Sequence, residues 1–477
     1  MPGRKMCEEK RRDGNPANPL LNTPHPAGTA GTSATAVLPP TNGGENREVQ
    51  FEPDAHFYAR HDCPVSSPLA WLEGVKSYPK FYWQSRDGQL EVAVAGAVLA
   101  FRADGLDQWR VLQHNVQTFF RNSGQNVWLF GGQRFSFMRK RGREWQLFPM
   151  AYFFLPRFML VRQGNLCSGF VYRSRGGRKS GKFPEGVQQW SDWPEMGRSR
   201  KAAREDRPDY RSWIELTEQL LEAIREGRLE KTVLARRTRL RFSSVPNPFQ
   251  ILHTLQKRNE RCFAFLFQPE KGRAFLGVTP ERLFRHSGRF VETEAVSGTA
   301  GRGASPAKDR ILGEMLLESR KNRREHQFVV DWIRQRLMRF GQVEQTDGSP
   351  KLLRLKNVQH LYTPFRCEIG EEVSPLDLLG HLHPTPAVAG VPFEPALEAI
   401  RRLEPFDRGW YAGPVGILGS RFSEIAVAIR SALVTSRSVY FYAGAGIVEG
   451  SDPAMEWEEL EKKISIALEL LGVQGGS

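Results

Sequence analysis

The sequence predicts an α+β protein in which antiparallel sheets carry helices on one side. Three observations lead there. Strand-like segments such as 90–94 and 424–430 alternate in character rather than running uniformly apolar, as a sheet with two different faces requires. Long segments of helical period, at 213–226 and 309–340 and after Pro453, follow strands. Finally, 477 residues at 40% hydrophobic content can bury a sizeable core, and no repeat of solenoid period interrupts it.

Residues 1–48 are rich in Pro, Gly, Thr, Ala and Asn without apolar periodicity, and are expected to form a disordered tail. Residues 49–172 form a strand-rich N-terminal subdomain in this reading. Phe81-Tyr82-Trp83, Leu90 to Val94 and Val127 to Phe130 supply strands, and Gly131-Gly132 marks a turn. Residues 173–208 are basic, Gly-rich and poor in aliphatics, the composition of an exposed connection. The catalytic candidates all fall in 209–477, which opens on an amphipathic helix over 213–226.

Lys231 begins a strand and shares a face with Val233 and Ala235. A lysine on a half-buried face can act as a base, or it can be a strand-end residue reaching water. Glu281 sits at the proline-marked break between two strands, where rigid backbone can aim a carboxyl into a cleft; a turn pairing with Arg282 or Arg285 is the other reading. The loop from Val296 to Gly303, with Gly298 and Thr299, can offer backbone N–H groups to an anion or be an ordinary loop. In the helix over 309–340, Glu325 falls on the stripe of Val329, Ile333 and Leu337. A carboxylate there needs a cation beside it, either a metal or an arginine.

His383 is presented by a stiff, proline-punctuated loop, 382–390. Arg430 is read as the end of a strand whose second face holds Ala426 and Ala428, leaving room for a carboxylate in bidentate contact or for a covering helix. Tyr442, Gly444 and Gly446 belong to a Gly-rich turn, and Asp452-Pro453 then starts the last helix. Glu456, Glu459 and Lys463 share an arc of that helix bordering its apolar stripe. Two carboxylates and an ammonium there suit a hard cation and an acidic ligand, or a solvated salt-bridge ladder.

Several classes are excluded by composition. No run of eighteen apolar residues is present, so no membrane helix is expected. The basic N-terminus lacks the apolar core of a secretory signal. Five scattered cysteines form neither a disulfide framework nor a zinc pattern, which fits a reducing cytoplasm. The net charge of +15 comes without a helix-turn-helix, zinc-finger or RNA-binding signature. A small anionic substrate is favoured by the same positive field, and no nucleic-acid partner is expected.

Seven blocks in order resemble the chorismate-utilising enzymes, the family of isochorismate, salicylate, anthranilate and aminodeoxychorismate synthases. They are LGVTPERL (276–283), SGTAGRG (297–303), REHQFVVDWI (324–333), HPTPAVAG (383–390), WYAGPVG (410–416), FSEIAVAIRSA (422–432) and YAGAGIVEGSDPAMEWEELEKK (442–463). The resemblance covers roughly 213–471 and, more weakly, the upstream strands. Singly the blocks are unspecific; jointly they are not.

The resemblance implies stacked antiparallel sheets with helices packed outside, and a cleft that binds Mg2+ and chorismate. It matches Glu325 and Glu459 to the metal-binding acids, with Glu456 close by, and Arg430 and Lys463 to carboxylate-binding positions. Gly298, Thr299, Tyr442, Gly444 and Gly446 match substrate-lining segments. Lys231 stands where water-adding members carry a lysine base, and Glu281 would be the proton donor. Ser297 stands where aminodeoxychorismate synthases carry a nucleophilic lysine and where many relatives have Ala. The runs at His383 and Trp410 look like isochorismate synthases. The expectation is therefore an isochorismate synthase, monomeric or homodimeric, serving menaquinone biosynthesis. Salicylate synthase, or supply of a siderophore pathway, is the alternative.

Overall fold

The computed structural model describes residues 67–473, apart from 124–126, 140, 173–182, 185–201, 245–246, 345–348 and 357, together with the backbone of two earlier strands. Those strands, Ala34–Val37 and Glu48–Phe51, pair antiparallel. The rest of the expected tail and most of the expected 173–208 connection lie outside the described residues. The end of that connection is structured: Ala202–Arg207 is a strand paired with Lys231–Phe242.

The expected fold class is present. All described strand pairs are antiparallel, and nineteen strands form one continuous hydrogen-bonded system. It contains strands of both sequence regions. Lys80–Gln84 pairs with Phe263–Glu270, and Trp128–Gln133 pairs with Pro414–Gly419.

Period-two alternation divides the interior into two cores. Along Phe263–Glu270, Phe263, Phe265 and Phe267 enter an aromatic core between sheet faces, whereas Ala264 and Leu266 face a second core under the outer helices. In the aromatic core Phe267 stacks on Trp410 with centroids 5.0 Å apart. The outer core holds the apolar stripes of Tyr210–Arg225, Pro248–Arg258 and Pro453–Leu470. No described helix is long and apolar enough to cross a membrane.

Several elements differ from expectation. The expected turns at Tyr442–Gly446 and Gly131-Gly132 lie inside the strands Ser438–Val448 and Trp128–Gln133, and most of the expected 296–303 loop belongs to the strand Phe290–Gly301. The single helix over 309–340 is two helices, Pro306–Glu318 and Arg320–Leu337. Ser319 is extended (ψ 112°) and its side chain accepts from Asn322 N, so it closes the first helix and caps the second. The strand read through Arg430 ends at Val427, and Arg430 adopts a left-handed φ of 51° before Ser431–Val434 begins. Arg430 is therefore held at a corner rather than along a strand face, and its side chain leaves the sheet there.

Candidate active site

One cavity of about 140 Å³ opens into a vestibule of about 700 Å³, and the two share Arg430, Lys321, Glu456, Glu459 and Lys463. The floor is the strand pair Ser438–Val448 and Lys231–Phe242, in which Gly444 faces Ala235 and Gly446 faces Val233. A Cβ at Gly446 would lie 2.7 Å from Glu325 Oε1, so glycine there leaves that carboxylate its place over the floor. At Gly444 a Cβ would meet Val233 and the Tyr411 hydroxyl. Tyr442 lies one repeat further along the same face and stacks on Tyr411.

Other elements supply the remaining walls. Gly298, at φ 63° where only glycine is unstrained, and Thr299 bring the strand Phe290–Gly301 to the cavity. Glu325 projects from the capped helix Arg320–Leu337, and Glu281 from the break between Arg273–Thr279 and Arg282–Ser287. Glu456, Glu459 and Lys463 lie on the last helix, whose N-cap Asp452 accepts from Ala454 N and Met455 N, as expected.

Charges inside are paired with care. Lys231 is fully buried, with Nζ 3.0 Å from Glu325 Oε1 but no aligned hydrogen bond. It sits behind Glu325 and Gly446 rather than on the open wall. Lys321 Nζ donates to Glu456 at 2.9 Å, and Lys463 Nζ bridges Glu459 Oε1 at 2.5 Å and the Gly444 carbonyl at 2.8 Å. Arg430 differs: among the described residues its side chain has no hydrogen-bond or ion-pair partner, which leaves a cation free for a ligand's carboxylate.

Burial, reinforced by Glu294, pushes the Glu281 carboxyl up to about 8 against the pull of Lys231 and Arg86. It is therefore protonated at neutral pH, the form that could donate a proton. Burial also raises Glu456, with Lys321 opposing it. Burial acts upward on Glu459 too, but the charge and hydrogen bond of Lys463, with Lys321 and Arg430, outweigh it and hold that group ionised.

Of the expected site residues, eleven line this cavity: Glu281, Gly298, Thr299, Glu325, Arg430, Tyr442, Gly444, Gly446, Glu456, Glu459 and Lys463. Lys231 lies directly behind it. His383 is a correction. Its Nε2 is 3.1 Å from the Phe135 carbonyl, its ring meets Phe135 edge-on, and burial pushes it down to about 3. It packs as neutral core, and its loop reaches the cavity through Ala387 and Val388 instead. Ser297 turns its hydroxyl to His326 Nδ1 at 3.0 Å.

Sequence reasoning missed Lys321, His360, Arg408 and Tyr411, all of which line the cavity. Lys321 and Glu325 have the spacing of a helical ion pair, which concealed that Lys321 reaches across to the last helix. His360 stands inside a strand, Val358–Ile369, and its Nδ1 lies near Gly298 O and Thr299 Oγ1. Arg408 is paired with Glu404 and donates to Val233 O and Val388 O, tying the Lys231 strand to the loop after His383.

The acids fit a hard divalent ion in one specific sense. Among the described residues no three potential ligands converge as a ready-made cage. Glu325, Glu456 and Glu459 nevertheless border one cavity, each with a lysine at hand. That donor set suits Mg2+, which uses one or two carboxylates and completes its shell with ligand oxygens and water.

The family described as chorismate binding enzyme matches residues 50–472. Isochorismate synthase MenF of Haemophilus influenzae is 34% identical over 399 residues, 83% of this chain and 87% of that protein. The salicylate biosynthesis isochorismate synthase of Pseudomonas aeruginosa is 34% identical over 425 residues, 85% of this chain and 87% of its own. The solved structure of MenF, the menaquinone-specific isochorismate synthase from Escherichia coli, superposes with a TM-score of 0.75 at 31% identity, covering 89% of this chain and 96% of that one. The chain belongs to the chorismate-binding enzyme family.

Proposed function

We propose that this chain is an isochorismate synthase, an isomerase that adds water at C2 of chorismate and expels the C4 hydroxyl. The observation that carries the reading is Glu281, a buried carboxyl protonated at neutral pH, on the cavity whose floor hides Lys231. Identity to relatives named as isochorismate synthases over most of their length supports it.

In this mechanism Arg430, the unpaired cation, and Lys463 hold substrate carboxylate and fix the ring for attack. Lys231 accepts a proton from the attacking water. Its Nζ lies 3.0 Å from Glu325 Oε1, just behind the cavity. Glu281 gives its proton to the departing C4 hydroxyl, and one water is gained and one lost. Glu325 and Glu459, with Glu456 close by, would hold Mg2+, which would supply charge neutralisation for substrate carboxylate.

The enzyme would act in the cytoplasm as a monomer or homodimer, feeding menaquinone biosynthesis, the branch named for the solved Escherichia coli structure. Incubating the pure protein with chorismate and Mg2+ and separating the products tests the reading. Isochorismate in equilibrium with chorismate, lost in excess chelator, is the expected result. Salicylate and pyruvate without a second enzyme would replace the reading by salicylate synthase, and no conversion would remove it.

A further inference from the structure

Glu281 does not hold its own position. The turn Ser85–Gln89, which follows the strand Lys80–Gln84, reaches into the catalytic region and presents Arg86. The turn is rigid: Ser85 Oγ and Gln89 N both bond Asp87 Oδ1, and Gly88, at φ 70°, donates to Ser85 O. Arg86 lies over the Phe263 ring, its guanidinium carbon 4.9 Å from the centroid. Its planar fork meets Glu294, with Nη1 3.0 Å from Oε2 and Nη2 on Oε1. Nη2 also donates to the Pro280 carbonyl at 2.5 Å, while Glu294 Oε1 accepts from Arg282 N at 3.1 Å. The peptide groups immediately before and after Glu281 are thus both bonded to one buried ion pair.

We propose that Arg86 and Glu294 form a positioning clamp that fixes the proton donor Glu281, so that the N-terminal region completes the active site. This rests on the isochorismate synthase reading, in which Glu281 is the acid. Neither clamp residue touches the cavity wall, so both act through Glu281. Lysine at Arg86 would keep the charge but not the fork, which reaches a carboxylate and a carbonyl at once.

The charged and titratable groups around Glu281 give the clamp an electrical signature. Glu294 faces it from Phe290–Gly301, Lys231 from Lys231–Phe242, Arg86 from the turn, and Tyr411 from the segment before Pro414–Gly419. The strand Phe422–Val427 offers only its Val427 N–H, to Glu281 O at 3.0 Å. Glu294 pushes the Glu281 carboxyl up and Arg86 pulls it down. Removing either therefore moves the alkaline limb of turnover in opposite directions.

The test compares full-chain wild type, Arg86→Ala, Arg86→Lys, Glu294→Gln and Glu281→Asp with chorismate and Mg2+, reading kcat, KM, the kcat–pH profile and Tm. Arg86→Ala should lower kcat by about 10²-fold, with KM little changed, as misplacing a reacting group by an ångström does. Its alkaline limb should move to higher pH, that of Glu294→Gln to lower pH, and Arg86→Lys should recover part of kcat with a limb near wild type. Where Arg86→Ala fails to fold, Arg86→Lys and Glu294→Gln decide. A lowered Tm with kcat and both limbs unmoved overturns the clamp while leaving the function intact. A wild type that makes no isochorismate, or an alkaline limb unmoved in Glu281→Asp, removes the functional reading and the clamp with it.

Discussion

A carboxyl on a small cavity and an amine just behind it could move a proton in each direction, provided each is in its reactive form. For Glu281 the form is set by burial first and by Glu294 second, which together hold it protonated up to about pH 8. Its raised value implies that kcat falls as pH rises through that point, because the donor is lost; a profile flat to pH 10 would contradict the assignment. Lys231→Ala and Glu281→Ala should each lower turnover roughly 10²–10⁴-fold, with unchanged circular dichroism. Near-normal rates in either would take that residue out of the mechanism. The sequence was informative at this scale where a titratable residue had a physical reason to be unusual, as with Glu325 on an apolar stripe. It misled at His383, where the stiff loop presents a ring to the core rather than to the cavity, because burial against Phe135 is invisible in a local run of prolines. It was silent on Arg86, whose partners lie about two hundred positions away.

Elements carry the site by their ends and corners. Ser319 divides two helices, and its side chain caps the second, which bears both Lys321 and Glu325. Ser319→Ala should cost about 1 kcal/mol of stability, read as a lower denaturation midpoint. A variant as stable as wild type would mean that the backbone break needs no cap. No proline or glycine marks the break at Ser319, and the stripe of Val329, Ile333 and Leu337 lies wholly after it, so a single long helix was the natural reading. The Asp452-Pro453 start was legible because a cap is a local signal. Arg430 was recognised as a cation facing empty volume, but not as a corner residue, since nothing in its neighbours announces a left-handed φ.

At the scale of the whole molecule, strands from 49–172 and 209–477 join one antiparallel system around an aromatic core. Class and alternation were readable from the sequence; the pairing of Lys80–Gln84 with Phe263–Glu270 was not, because register between distant strands is set by packing. Phe267 sits fully buried in that core against Trp410 and Tyr152. Phe267→Ala should therefore cost about 3–5 kcal/mol and be seen as a much lower Tm. A cost below about 1 kcal/mol, as at an exposed site, would contradict the picture of one shared core. That shared core is what lets a turn from the first region brace an acid in the second.

The central claim is that the incoming oxygen belongs to solvent water and the departing oxygen to the substrate. Turnover of chorismate in ¹⁸O-enriched water, followed by mass and NMR analysis of the product, reads this directly. The account predicts isochorismate carrying the heavy isotope in its C2 hydroxyl. Unlabelled isochorismate, formed by migration of the original hydroxyl, would contradict it.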